Sequence, residues 1–199
     1  EAPRVPRKEM ECFDLAQAQR FLKESAAEGL KWEAFFATLL QTGCRPGELK
    51  AARWSDLDFG AGTLHIGRHV QRLPGKGFVV GDTKTNKSRR TIALGTELLA
   101  MLRRHRAEQA VERLRLGSLW ERLDLIFPSE IGSFLESARV HRVFRRICER
   151  ADLPRIRVCD LRHTSATILL GNGVDLKTVS DRLGHANATL VLTTYGHTL

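Results

Sequence analysis

Between positions 63 and 94 the apolar pattern of this chain changes period. The runs Thr63-Leu64-His65-Ile66, Val70-Gln71-Arg72-Leu73, Phe78-Val79-Val80 and Arg90-Thr91-Ile92-Ala93-Leu94 are short and β-prone, and Gly, Pro and Asn separate them. They predict a small antiparallel sheet, with residues 83–88 as an exposed basic turn. On either side the spacing is helical. Asp14, with Gln17 three residues on, has the form of a capping box, and Leu15, Ala18, Phe21 and Leu22 follow on one helical face. Residues 32–40 are nearly all apolar and predict a buried helix, closed by Gly43 and followed by Pro46 in the first turn of the next. Further helices are expected at 97–116, 138–151, 161–171, 176–183 and 188–195. Asp175 caps the one at 176–183, and Gly171 and Gly184 close two of them. The expected fold class is therefore α+β: mainly helical, with a small antiparallel sheet inserted among the helices, after the second or third.

A length of 199 residues suits one domain with its own core. The imbalance lies in charge: 32 Lys+Arg against 23 Asp+Glu gives a net charge of +9. Such a surplus favours a polyanionic partner, nucleic acid before an anionic membrane. The longest apolar runs fall short of a membrane span, and no signal peptide is visible. Cys12, Cys44, Cys148 and Cys159 lack CxxC or other metal spacing, so reduced thiols are expected. The opening Glu-Ala-Pro and the basic, Pro-flanked residues 2–8 suggest residues 1–10 as a linker remnant from an absent N-terminal DNA-binding domain, with 11–199 as the catalytic domain.

Charge and chemistry then converge on a few residues. Arg162 in Asp160-Leu161-Arg162-His163-Thr164, His185 after Leu183-Gly184, and Tyr195 in Thr194-Tyr195-Gly196 bring a cation, an imidazole and a phenol beside helical patterns. Arg45 in Thr42-Gly43-Cys44-Arg45-Pro46-Gly47-Glu48-Leu49 and Lys84 in the basic turn add two more cations. Guanidinium forks match phosphate oxygens. A tyrosine among such groups suggests a covalent phosphotyrosine intermediate. Plainer roles exist for each: Arg45 as a surface partner of Glu48, Arg162 as a helix-surface cation, His185 as a helix-end histidine, and Tyr195 as a half-buried core residue.

Taken together, these three boxes resemble the tyrosine recombinase (phage integrase) family over nearly the whole chain. The resemblance implies a helical catalytic domain with a small sheet, and a role for each residue. Arg45 and Arg162 would hold the scissile phosphate, and Glu48 would orient Arg45. Lys84, with Lys87 as its rival, would protonate the leaving 5′ oxygen. His185 would hydrogen-bond a non-bridging oxygen, and Tyr195 would attack phosphorus to give a 3′-phosphotyrosyl bond. Asp160 belongs to the second box in support. No cofactor is implied, because the covalent link conserves the bond energy without ATP or a divalent metal. The implied partner is double-stranded DNA, bound as a homotetramer by the whole protein, with this piece monomeric alone and accessory DNA-bending proteins assisting. The implied setting is the prokaryotic cytoplasm or nucleoid.

One position departs from the pattern. Cys159 stands where the family usually has histidine, and a thiol with an ordinary pKa near 8.5 is a poorer base at neutral pH. Tolerated variation, a damped enzyme and an engineered substitution all account for it; His163 does not take its place by position. The expected function is site-specific cleavage and rejoining of DNA, for integration or excision of a mobile element such as a phage. The alternatives are a weak or inactive DNA-binding member of the family, and topoisomerase IB-like relaxation.

Overall fold

The computed structural model describes residues 11–82 and 89–184. The chain runs α1 (Leu15–Ser25), α2 (Leu30–Thr42), α3 (Pro46–Lys50), β1 (Leu57–Asp58), β2 (Thr63–Ile66), β3 (Arg68–Leu73), β4 (Gly77–Asp82), β5 (Arg90–Ala93), α4 (Thr96–Leu116), α5 (Ser137–Arg150), α6 (Leu161–Gly171) and α7 (Leu176–Leu183). The α+β expectation holds.

The nearly apolar α2 lies at the centre, packed against α1, α4 and α6. Its Trp32, Phe35, Phe36 and Leu39 are buried, as a helix without a polar stripe requires. Aromatic rings set the joints. Phe21 of α1 lies 5.2 Å from Phe36 of α2 and 5.1 Å from Phe144 of α5, and Phe35 meets Phe127 edge-on at 5.3 Å. Tilted and edge-on aromatic pairs add about 0.5–1.5 kcal/mol each beyond area burial. At the rim of this packing, Arg146 and Arg150 of α5 form ion pairs with Glu28 and Glu24 beside α1.

The capping box is present: the Asp14 carboxylate accepts from Gln17 N at 2.7 Å, and Asp14 N donates to the Gln17 side chain at 2.9 Å. Asp175 likewise accepts from Thr178 N at 2.9 Å. Gly43 and Gly184 end α2 and α7 in the left-handed region, as expected. Gly171 does not close α6. It is the last helical residue, and the chain turns at Asn172 and at Gly173, whose φ is +79°. The β-prone stretch also divides in two. A three-stranded antiparallel sheet has the order β1-β2-β5, and β3 pairs with β4 as a separate two-stranded ribbon. The short link Gly67 between β2 and β3 lets the chain leave one sheet and start the other. The helix expected at 188–195 and the basic turn at 83–88 lie outside the described residues.

Register decides what the sheet buries. Leu64 and Ile66 of β2 face inward with Ile92 of β5, and His65 pairs outward with Thr91. Because side chains alternate along a strand, Arg90 shares the inner face with Ile92 and is buried.

A second buried polar group lies under α4. His105 is only 2% exposed; its Nε2 is 2.7 Å from the Ile126 carbonyl, its ring stacks on Phe127, and its Nδ1 has no partner among the described residues. Burial, only partly offset by that carbonyl, holds its pKa down at about 4. The folded state therefore favours the neutral ring, whereas the unfolded chain takes up a proton near the ordinary histidine value of 6.5. Stability from this group is complete above that value and declines as pH falls toward 4, by roughly 3 kcal/mol in all. Denaturant unfolding at several pH values should show a shallower acid decline for His105→Gln, by up to one proton's uptake. Superimposable pH profiles would contradict it.

Candidate active site

Two helix ends meet in the middle of this fold. The chain leaves α2 at Gly43 with φ +63°, and a Cβ there would lie 2.5 Å from Leu183 Cδ2, so the backbone of the first box sits directly against the last turn of α7. Helix C-termini carry carbonyls without intrahelical partners and a partial negative charge. Guanidinium groups answer both needs here. Arg162, 7% exposed at the start of α6, donates through Nη1 to Gly43 O at 2.8 Å and through Nη2 to Leu183 O at 2.6 Å. Arg182 donates through Nη2 to Gln41 O at 2.6 Å. The surface-cation alternative for Arg162 is thereby excluded: this arginine is buried and bridges two of the boxes.

Arg45 stands just before α3. Glu48, three residues on, accepts from Arg45 N at 2.8 Å and from Arg45 Nη1 at 3.1 Å. The pairing of Arg45 with Glu48 is therefore real, but it is not a surface pair, because the two side chains are 53% and 3% exposed. A buried carboxylate holds an arginine whose outer part faces solvent.

The residue that the sequence reading passed over is Arg90. Its guanidinium donates through Nη2 to Glu48 Oε2 at 2.8 Å and through Nε to Arg182 O at 2.7 Å. Both side chains of the Glu48–Arg90 pair are nearly closed to solvent, at 3% and 6% exposure. Burial alone would raise the pKa of Glu48, but the hydrogen bonds and charge of Arg90, with those of Arg45, outweigh it and the net shift is downward. Glu48 is thus held ionised. The signal that could have found Arg90 was the strand register: counting by two from Ile92 puts a cation on the core face.

Cys159 and Asp160 lie on a single turn of 3-10 helix before α6. Asp160 is buried and accepts from Arg157 N and Nη2, each at 2.8 Å. Burial would raise its pKa; the Arg157 side-chain and backbone hydrogen bonds reverse this and lower it. Its part is to fix the turn that presents Arg162. Cys159 is exposed and lines a groove of about 690 Å³ together with Pro46, His141, Phe144, Cys148 and Arg157. Partial desolvation of this otherwise exposed residue and the adjacent Asp160 carboxylate push the thiol above its ordinary range, so the thiolate is scarce at neutral pH. His163 is half-buried, and burial lowers its pKa. All four cysteines are free thiols.

The described residues therefore bring together Arg45, Glu48, Arg162, Asp160 and Cys159, and add Arg90 and Arg182. Lys84, its rival Lys87, His185 and Tyr195 lie outside the described residues. Lys84 follows β4 in sequence, and His185 follows directly on Gly184, whose Cα side faces Arg90 Nη1. No described helix is long and apolar enough to cross a membrane.

The model of the phage integrase family matches residues 11–199. A protein named tyrosine recombinase XerC-like, from Caldanaerobacter subterraneus subsp. tengcongensis, is 32% identical over 96% of this chain and 51% of its own length. The ICEBs1 integrase of Bacillus subtilis is 29% identical over 97% of this chain and 52% of its own. The chain thus spans about half the length of these curated relatives. Among solved structures, the Tn1549 transposon integrase in complex with a circular intermediate DNA superposes with a TM-score of 0.81 at 21% identity, covering 97% of this chain and 63% of that one. XerA recombinase gives 0.73 at 24% identity, covering 96% and 62%. Those likenesses establish the shared fold.

Proposed function

The chain belongs to the phage integrase family, and from that premise we propose that it is the strand-transferring part of a site-specific DNA recombinase. In this reading Tyr195 attacks the scissile phosphorus, its phenolic proton passes to water, and the 5′ oxygen leaves. A 3′-phosphotyrosyl bond forms as the P–O5′ bond breaks. Lys84 supplies the proton that makes the departing oxygen a hydroxyl. Arg45 and Arg162 oppose the charge that builds on the non-bridging oxygens, and His185 adds a hydrogen bond there. Attack by a 5′ hydroxyl from another strand reverses the steps and rejoins the DNA.

The observation that carries this reading is the exposed Arg45 guanidinium, two residues beyond the Gly43 carbonyl that Arg162 caps and steadied by an ionised, buried Glu48. A net charge of +9 suits a DNA duplex as substrate. The names of the relatives, recombinase and integrase, and the DNA bound in the Tn1549 complex point the same way. Residues 1–10 would then lead from an N-terminal DNA-binding region, and synapsis of two DNA sites would call for a homotetramer with accessory DNA-bending proteins. Integration or excision of a mobile element is the role that fits. The scarce Cys159 thiolate favours a slow enzyme as the second reading, since proton removal from Tyr195 would gain little from it.

The test uses nicked suicide duplexes carrying DNA from the flanks of the protein's own gene. Cleavage releases a short strand and strands the protein on the DNA. A band retarded on a denaturing gel, with a free 5′ hydroxyl on the released strand, is expected. Specific binding on a native gel with no such band would replace the enzyme by a DNA-binding module.

A further inference from the structure

We propose that Arg90 is a positioning residue for strand cleavage: its guanidinium locks the Glu48–Arg45 pair to the last turn of α7, so that the phosphate-facing arginine keeps one fixed relation to that turn. This inference rests on the strand-transfer reading above. Three observations carry it. Arg90 meets Glu48 with two N–H groups, Nη2 at 2.8 Å and Nη1 at 3.3 Å, on the carboxylate that also receives Arg45 N and Nη1. Its Nε reaches across to Arg182 O at 2.7 Å. The same side chain packs against Gly184, where a Cβ would come within 3.1 Å of Nη1 and 3.2 Å of Cδ. One rigid fork therefore touches two separate stretches of chain, α3 and the end of α7, and its own backbone belongs to a third, β5, the strand that follows residues 83–88.

Purely structural ion pairs of this kind occur in many cores, but the geometry here has a particular consequence. Glu48 is shared between one cation that is closed to solvent and one that is open to it. Moving the inner cation moves the carboxylate, and with it the outer cation. Phosphoryl transfer is sensitive to such displacements, and a shift of about 1 Å in a positioning group costs on the order of 10²-fold in rate.

Arg90→Lys separates the two functions of the side chain. An ammonium keeps a positive charge opposite Glu48 but cannot donate along the fork to Glu48 and to Arg182 O together. The experiment measures thermal unfolding, DNA affinity and single-turnover formation of the covalent complex for wild type, Arg90→Lys, Arg45→Ala and the double variant. The expected result is a cleavage rate per folded molecule for Arg90→Lys lowered on the order of 10²-fold at a temperature where the variant is fully folded, with DNA affinity close to wild type and a melting temperature lowered by the lost fork contacts. In the Arg45→Ala background the same substitution should slow cleavage by less than about threefold, because its effect passes through Arg45. Losses that multiply in the double variant, or a defect that appears only as a lower melting temperature and a smaller active fraction, would overturn the positioning role and leave the strand-transfer reading standing. A wild-type protein that forms no covalent complex would overturn both.

Discussion

Arg162→Lys should lower the rate of strand cleavage by about 10²–10³, the usual cost of losing one preorganised donor to a transition-state oxyanion. Charge is not what the substitution removes. The guanidinium of Arg162 already joins two helix ends, with Nη1 on Gly43 O and Nη2 on Leu183 O. A planar fork reaches both carbonyls from one fixed plane and keeps that plane fixed for a phosphate; a lysine ammonium has three donors on a single flexible point. Whichever carbonyl it leaves is buried without a partner, at about 1–3 kcal/mol. The defect should therefore appear in both single-turnover cleavage and unfolding free energy, while DNA affinity, set by the many cations of the surface, falls little. An Arg162→Lys protein that cleaves within a few-fold of wild type would remove Arg162 from the chemistry.

Glu48→Ala should destabilise the fold by roughly 3–5 kcal/mol, because it strands Arg90 as a buried charge. That is a large share of the roughly 5–15 kcal/mol by which domains are stable. The wild-type carboxylate satisfies two guanidinium groups and one backbone N–H at once, and is itself 3% exposed. Replacing both partners, Glu48→Met with Arg90→Met, should recover much of the stability, since a buried ion pair is often no better than apolar side chains of similar volume. It should recover none of the cleavage, because Arg45 loses its support in either variant. Denaturant titration of the three proteins checks the first statement and covalent trapping the second. A Glu48→Ala protein within about 1 kcal/mol of wild type would show that solvent reaches this pair.

Most of the architecture was legible in the sequence, for identifiable reasons. A helix with strong stops, such as α7, was placed at the observed residues because Asp175 and Gly184 mark its two ends chemically. Gly171 misled, since glycine also sits inside a last turn when the left-handed residue comes two positions later, at Gly173. The division into a three-stranded sheet and a two-stranded ribbon was not legible. Strand pairing is a long-range choice, and the runs β2 to β5 carry no mark that says which of them pair.

The site divides in the same way. Arg45, Glu48 and Arg162 were singled out because their boxes occur together in one order. The Arg45–Glu48 pair was readable from its spacing, but the contacts of Arg162 were not: that it bridges Gly43 and Leu183 follows from packing α6 between two helix ends. Arg90 and Arg182 were missed because an arginine in a basic stretch reads as surface charge. Only the register of β5 and the closeness of α7 turn these two inward. Cys159 was noticed as a departure. A neighbouring carboxylate and partial burial both oppose the thiolate there, which its place in the sequence did not show.

The most direct measurement is the identity of the residue that carries the DNA. The chain has a single tyrosine, Tyr195, so the trapped adduct, digested with protease and nuclease and read by mass spectrometry, should place a nucleotide phosphate on the peptide containing Tyr195. The Tyr195→Phe protein should bind the same duplex and give no adduct. A phosphate on any other side chain, or an adduct that survives Tyr195→Phe, would contradict the account at its centre.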